Sequence, residues 1–563
     1  MHNVIRWFYG LAVLWATCTA AIAQQVAAVR PPSRSPYLAP GTPEVGGVRH
    51  MVLIYHGNKG RVAWTKDAIL PYVAYLDENR QPVDWLFDSF LLIEFALDDG
   101  TAFHHHGRGE RLPTLADWQW IAKSWFRPDR GLDGLEQAVA EVAGKLGPAD
   151  RKVKVVITLP KPFAEDRAFG PLPGEQEKLD FGRPPDRQRA LQWYIQQVLK
   201  QWREKQYRRL ELAGFYWTDE AFGGGDQGLA RWTSEYLHGL GLKHYWIPYY
   251  AAQGVRQWRQ AAFDCVMMQP NFFFPKKRLP LGRFQSTAKV ARMVGCGIEI
   301  EFDGRALTDP EYRDRLIAYL DAGLYYGWNK DAVLGYYEGG DALKRLAEDK
   351  GAGRDLYRKV CEFVKGTLQP SGRFDFSQYP DNSKNLALAS RGAKVIGAPP
   401  RPEWGKEIGP EQIIDGNTCF YGGMSGFGAF YIPGSFIIEL PQVSTVARTQ
   451  VLLFDLDGRF FRYRIDTSVD QQKWDPAVDK RMGEWRGWQV DRFSPRPAKY
   501  VRFTCLHNSA NEICQVVELE VYAQEPGAAN TPPASGKVTA VLLSSAVAER
   551  KALSQRLVQK QDK

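Results

Sequence analysis

The sequence predicts an α/β chain, a (β/α)8 TIM barrel followed by an all-β jelly-roll sandwich. Between Arg49 and Asp341 short β-branched runs alternate with amphipathic helical stretches through eight successive units, the number that closes such a barrel. Beyond residues 370–384 helical periodicity stops and the pattern is strand and turn alone. Several of the eight runs end in carboxylates or aromatic clusters, as in Gly214 to Glu220 (GFYWTDE) and Gly297 to Asp303 (GIEIEFD). Strand carboxyl ends in a barrel converge on one mouth, where chemistry is done.

At the start of the chain Arg6 precedes an apolar run from Leu11 to Ala16, and Ala21-Ile22-Ala23 offers a small-x-small cleavage site. Residues 1–23 are therefore expected to be a signal peptide, with an exported product in a periplasmic or extracellular compartment. The apolar run is shorter than the ~20 residues that span a bilayer, and no later segment approaches that length, so no stable membrane insertion is expected. Residues 24–45 are rich in Pro, Ser and Ala and read as a flexible leader. The formal charge of +9 is scattered among acids without a basic block, which speaks against nucleic-acid binding. Of 7 cysteines, Cys18 falls in the signal. The others are too sparse for a disulfide scaffold and lack zinc spacing; export would permit one bridge, between Cys505 and Cys514.

The barrel is assigned to residues 46–370. Its strands are expected at Met51 to His56, Ser89 to Leu97, Val153 to Leu159, Leu212 to Glu220, His244 to Tyr250, Asp264 to Gln269, Gly297 to Phe302 and Ala332 to Glu338. Helical patterns lie between them, such as Leu191, Tyr194, Ile195, Val198 and Trp202 on one face. No Gly-rich phosphate fingerprint follows the first strand, which disfavours an open doubly wound sheet.

Strand alternation locates the chemistry, because successive residues face the interior and the helices in turn. Ile298, Ile300 and Phe302 suit helix packing, so Glu299, Glu301 and Asp303 point inward or to the mouth. Buried carboxylates need a partner, a ligand or water. The deeper Glu299 is expected to pair with an inward Arg or Lys, and Glu301 to be functional. Thr218-Asp219-Glu220 closes the fourth strand before Gly223-Gly224-Gly225. Glycoside hydrolysis needs two carboxyl groups, one protonated and one ionised. With Glu220 and Glu301 at these strand ends the barrel resembles the large clan of glycoside hydrolases that places its acid after strand four and its nucleophile after strand seven. The resemblance implies Glu220 as acid and Glu301 as nucleophile or base. Asp219 stands where many members of that clan have Asn, and so is a further catalytic candidate. Glu338, before Gly339-Gly340, is a reserve nucleophile.

Aromatic residues at strand ends can stack on pyranose faces. Trp217, Trp246, Tyr250 and Tyr337, with Asn271 and His56, are the expected substrate-binding residues. The run His104-His105-His106 lacks metal-ligand spacing and reads as a source of substrate hydrogen bonds, so no catalytic cofactor is expected. Residues 46 to 370 also resemble an uncharacterised bacterial family known only as a domain of unknown function, found in exported proteins that often carry sugar-binding modules. This resemblance implies fold and compartment, and no reaction.

After a linker at 371–384, residues 385–524 carry Asn385-Leu386-Ala387, Ile414-Asp415-Gly416-Asn417-Thr418, Phe436 to Leu440, Tyr463 to Ser468 with Trp474, Lys499 to Phe503, and Glu518 to Tyr522 in that order. Together they resemble the discoidin, or coagulation factor V/VIII type C, domain, which implies a jelly-roll sandwich that binds sugar. It also implies a structural calcium held near Asp415, Thr418 and Glu518, oxygen ligands that suit a hard cation. Residues 525–563 read as a linker and basic tail.

The expected protein is thus a secreted glycoside hydrolase that acts on an extracellular polysaccharide or glycan through paired carboxylates, with an accessory carbohydrate-binding domain. The alternative, a non-catalytic carbohydrate-binding surface protein, accounts for everything but the inward carboxylates. A serine esterase is disfavoured by the lack of a G-x-S-x-G elbow.

Overall fold

The computed structural model describes residues 37–523, apart from 105–110, 168, 223–225, 251, 276–277, 280, 377–378, 380–383, 404–407, 419–425 and 455–458. The signal peptide, the first part of the leader, the triple-glycine loop, His105, His106, Cys419 and the tail lie outside the described residues.

Eight parallel strands close into a barrel. They are β1 (His50–Tyr55), β2 (Ser89–Ile93), β3 (Val153–Leu159), β4 (Leu210–Trp217), β5 (Lys243–Trp246), β6 (Cys265–Met268), β7 (Gly297–Glu301) and β8 (Leu334–Tyr337). Closure is made where Met51 of β1 lies between Ser89 of β2 and Gly335 of β8. Helices surround the barrel, with only the short 3-10 turn Val255–Gln257 between β5 and β6 among the described residues, and nearly all the strand residues are buried. A short hairpin, Ala74–Leu76 with Pro82–Trp85, is inserted before β2.

Helix Pro310–Tyr326 shows how local signals set an element that the site depends on. Asp309 caps it by accepting from the Glu311 N–H at 2.8 Å, Pro310 sits in the first turn, and Gly327, at φ 81°, ends it. Its buried face carries Tyr319 to the barrel mouth.

Residues 37–45 depart from the expected flexible leader. Tyr37, Leu38 and Val45 are buried against the amino-terminal end of the barrel, where the Leu38 carbonyl accepts from the Val333 N–H at 2.9 Å and the Val45 carbonyl accepts from the Tyr245 hydroxyl at 3.1 Å. Apolar side chains within a Pro-rich stretch thus plug the barrel floor. The expected linker at 371–384 is likewise packed in part: Phe376 is buried and Ser371 binds Asp321.

The carboxyl-terminal domain is an antiparallel sandwich with its own core, centred on Phe436, Tyr463 and Phe503. Two long strands, Gly434–Leu453 and Trp488–Asn508, pair with each other and shift register between Glu439 and Ser444 and again between Val446 and Arg448. Such bulges bend a strand. Cys505 and Cys514 are both free thiols, buried in contact with one another, rather than the expected bridge.

The sandwich is seated on the barrel helix Gly282–Val294. Lys289 of that helix and Glu520 of the sandwich form an ion pair from which water is wholly excluded. Beside it Gln285 donates to Gln450 at 3.4 Å, and Arg256 of the barrel reaches Asp415 of the sandwich at 3.5 Å. No helix among the described residues is long and apolar enough to cross a membrane.

Candidate functional site

A cavity of about 320 Å³ opens at the carboxyl ends of the barrel strands. Leu53 and Tyr55 of β1, Tyr216, Thr218 and Glu220 along β4 and beyond it, Glu299 and Glu301 of β7, and Tyr337 of β8 line it. Alternation explains this set. In β4 the even-numbered residues face inward, and in β7 the odd-numbered ones.

Hydrogen bonds run from Glu220 to Glu301. The Gln269 amide donates to Glu220 Oε1 at 2.8 Å, and Asn271 Nδ2 donates to Gln269 Oε1 at 2.8 Å and to Glu301 Oε1 at 3.4 Å. The Tyr319 hydroxyl donates to Glu301 Oε2. Asn271 has its backbone in the left-handed region, φ 49°, and its side-chain Oδ1 accepts from the Tyr250 N–H at 2.7 Å. Asn tolerates that conformation better than most residues. Two side chains, Gln269 and Asn271, are thereby linked between the two carboxyl groups.

Burial pushes the Glu301 carboxyl up to about 7, against the downward pull of the Tyr319 and Asn271 hydrogen bonds. Burial, then the neighbouring charges of Glu301 and Glu220, pushes Glu299 well above the ordinary carboxylate range. The expected Arg or Lys partner of Glu299 is not present among the described residues, and the carboxyl faces the cavity. The barrel places its nearby cations elsewhere. Arg61 is bound to Glu94 at 2.8 Å, and Lys161 to Asp219 and Asp226.

Of the residues singled out from the sequence, Glu220, Glu301, Asn271 and Tyr337 meet at this cavity. Others do not. Trp217 and Asp219 have the opposite parity from Tyr216 and Glu220: Trp217 is buried against His244, and Asp219 pairs with Lys161 while its carbonyl accepts from Trp246 Nε1 at 2.6 Å. Trp246 itself stacks on Phe222 in the core. Tyr250 lies under the Arg283 guanidinium, outside the lining. His56 is buried, bound to the Ser124 carbonyl at 3.0 Å, and desolvation holds its imidazole down at about 4. Glu338 accepts from the N–H groups of Leu343 and Gly340 and from the Tyr72 hydroxyl, capping helix Ala342–Glu348. Burial pushes it up to about 8, so it acts there as a structural acid outside the cavity.

His104, from the histidine run read as a source of substrate hydrogen bonds, lines the cavity, and Gln269, Tyr319, Tyr55 and Phe274 belong to the site without having been singled out. Gln269 left a signal, a polar residue closing the apolar run Cys265–Met268. Tyr319 left none, because it arrives from the back of a helix.

In the sandwich Asp415 and Glu518 face one another, and the Gly416 N–H donates to Glu518 Oε2 at 3.1 Å. Burial pushes Asp415 up to about 6 and Glu518 well above the usual range. Thr418 Oγ1 and Glu518 Oε1 are buried without a hydrogen-bond partner. The free Glu518 and Thr418 oxygens suit a hard cation, while both Asp415 oxygens are engaged, one by Arg256 at 3.5 Å and one by the Asn417 N–H at 2.7 Å.

The family described as "Domain of unknown function (DUF4855)" matches residues 50–362, and the F5/8 type C domain matches residues 400–519. Among curated proteins, BTB/POZ domain-containing protein 9 of Drosophila melanogaster is 32% identical over 114 residues, covering 20% of this chain and 16% of that protein. Its Homo sapiens counterpart is 29% identical over 114 residues, covering 20% and 19%. The chain thus spans less than a fifth of the length of these relatives. Similar solved structures include the CBM32 of AlyQ in complex with 4,5-unsaturated mannuronic acid, 19% identical, covering 23% of this chain and 93% of that one, with a TM-score of 0.20. Another is CpGH89CBM32-5 from Clostridium perfringens in complex with GalNAc-beta-1,3-galactose, 16% identical, covering 25% and 99%, with a TM-score of 0.21.

Proposed function

The chain belongs to the DUF4855 family, and from that footing we propose that it is a secreted glycoside hydrolase whose barrel acts on an extracellular polysaccharide or glycan, with the sandwich as an accessory carbohydrate-binding domain. The observation that carries this reading is the pair Glu220 and Glu301, set in one cavity and bridged by Gln269 and Asn271. Glu301 receives hydrogen bonds from two groups that only donate to it, which orients a carboxylate for attack on an anomeric carbon or for activating water. Glu220 is the proton donor to the leaving oxygen. The aromatic walls Tyr55, Tyr216 and Tyr337 are the surfaces on which a sugar ring stacks.

A screen of glycans and polysaccharides for new reducing ends tests the reading. With an attacking Glu301 that must be ionised, and a carboxyl pushed up to about 7, kcat/KM on a responsive glycan is expected to rise as pH climbs through about 7. A flat profile across that range removes Glu301 from the attacking role. A screen in which no glycan is cleaved while several bind at the mouth leaves the barrel as a binding protein.

For the sandwich the reading includes a structural calcium at Asp415, Thr418 and Glu518. Binding to the folded state alone stabilises by mass action, about 2.7 kcal/mol at a free concentration 100 times Kd. Chelation is therefore expected to lower the melting temperature of the full chain, and added calcium to restore it. Superimposed melting curves in chelator and in calcium refute the ion.

A further inference from the structure

Glu299 is a buried polar side chain turned toward the cavity, 2% exposed, with no hydrogen-bond or ion-pair partner among the described residues. It shares the cavity with Glu220 and Glu301, and among the described residues no Lys or Arg contributes to the lining, whose basic side chain is His104. The cations around the mouth are committed elsewhere: Arg61 to Glu94, Lys161 to Asp219, and Arg305 to Asp303 at 2.8 Å. Burial favours the protonated forms of Glu299 and Glu301, and a ligand that brings a positive charge lets a carboxyl ionise beside it. A uronic acid or sulfated sugar brings the opposite charge, and the hydroxyls of a neutral sugar bring none. Glu220, Glu299 and Glu301 do not form, with one another or with any other His, Cys, Asp or Glu among the described residues, a group arranged to hold a metal ion. An organic cation fits this set of carboxyls, and the ring faces of Tyr55, Tyr216 and Tyr337 beside them also favour one.

We propose that the cavity takes a sugar unit with a free amine, and that Glu299 receives its ammonium, so that Glu299 is the residue that selects an amino sugar over its N-acetylated or neutral counterpart. The proposal rests on the glycan reading of this mouth and names its substrate class. An ammonium on a buried carboxylate makes a charge-assisted hydrogen bond, about twice as strong as a neutral one. The N-acetyl form replaces that donor with a neutral amide and a bulkier group.

Calorimetric titration of the full-length protein, near neutral pH where sugar amines are still largely protonated and a paired carboxyl can ionise, tests this. The probes are tetramers of β-1,4-linked glucosamine and of α-1,4-linked galactosamine, each with free amines and fully N-acetylated. At least one free-amine tetramer is expected to bind about tenfold or more tightly than its N-acetylated form, and Glu299→Gln to reduce that ratio to about twofold or less. Binding that tracks Glu299 is distinguished in this way from binding by the sandwich. Should Glu299→Gln unfold, Glu299→Met serves in the same comparison. Equal binding of the two forms by the wild type overturns the proposal, as does a preference that survives loss of the carboxyl. Turnover of the same probes separates the two readings. Amine-selective binding lost in Glu299→Gln, with no glycan cleaved, keeps this inference and refutes the hydrolase; cleavage of neutral glycans without amine preference does the reverse.

Discussion

Glu301→Gln is expected to abolish turnover, with kcat falling on the order of 10⁴-fold or more, while the folded protein becomes no less stable. Glutamine keeps the volume and an acceptor for Tyr319 and Asn271 but cannot ionise. The stability effect has a definite sign. The folded carboxyl holds its proton up to about 7, against an ordinary value of 4.5, so the folded state binds more protons than the unfolded state in between and the wild type loses stability as pH rises through that window. Above it the ionised, buried Glu301 is a burden of up to about 3 kcal/mol. Glu301→Gln is therefore expected to melt at a higher temperature than the wild type in mildly alkaline buffer and at a similar one in acid. Glu220→Gln should reduce turnover by about 10²–10⁴-fold, most severely on substrates with poor leaving groups. Glu338→Gln, outside the cavity, should retain turnover. Activity in Glu301→Gln together with an inactive, folded Glu338→Gln would transfer the attacking role to Glu338.

The second large effect lies at the domain boundary. Lys289→Met strands Glu520 in a site without water, where among the described residues the Tyr522 hydroxyl, at 2.6 Å, still donates to it. Removing one member of a buried ion pair costs about 3–5 kcal/mol, whereas replacing both with apolar residues is often neutral or stabilising by about 1–4 kcal/mol. Urea unfolding should show the large loss for Lys289→Met, with recovery in Lys289→Met combined with Glu520→Met. A loss of less than about 1 kcal/mol in the single variant would mean that Lys289 and Glu520 are hydrated in solution.

The barrel and the face that holds its cavity were legible because strand-and-helix units repeat, and because Gly297 to Asp303 alternates acid with apolar so plainly that parity could be read directly. The fourth strand gave no such cue. Phe215, Tyr216 and Trp217 are all buried, on opposite faces, and a strand covered on both sides carries no polar alternation to say which aromatic looks inward. Trp217 and Asp219 were therefore expected at the mouth together with Glu220, but of the three Glu220 alone lines it, beside Tyr216. The support around Glu301 was hidden for a different reason. Tyr319 comes from a helix, and its hydroxyl meets the acid only after the barrel closes. The boundary pair Lys289 and Glu520, 231 residues apart in sequence, is equally invisible to periodicity.

The helix that seats the sandwich follows β6, and the chain just beyond β6 supplies Gln269 and Asn271 to the mouth. An accessory domain on a flexible leash raises the local concentration of its catalytic partner over the whole sphere that the leash sweeps, with a yield that falls as the leash lengthens. Here the dry contact at Lys289 replaces the leash with a bracket. Once the sandwich grips a polymer, the mouth meets that strand at one offset and one orientation. Cleavage should then fall at a fixed distance from the gripped unit, and the spacing of products along an immobilised polymer becomes a ruler for the geometry of the protein.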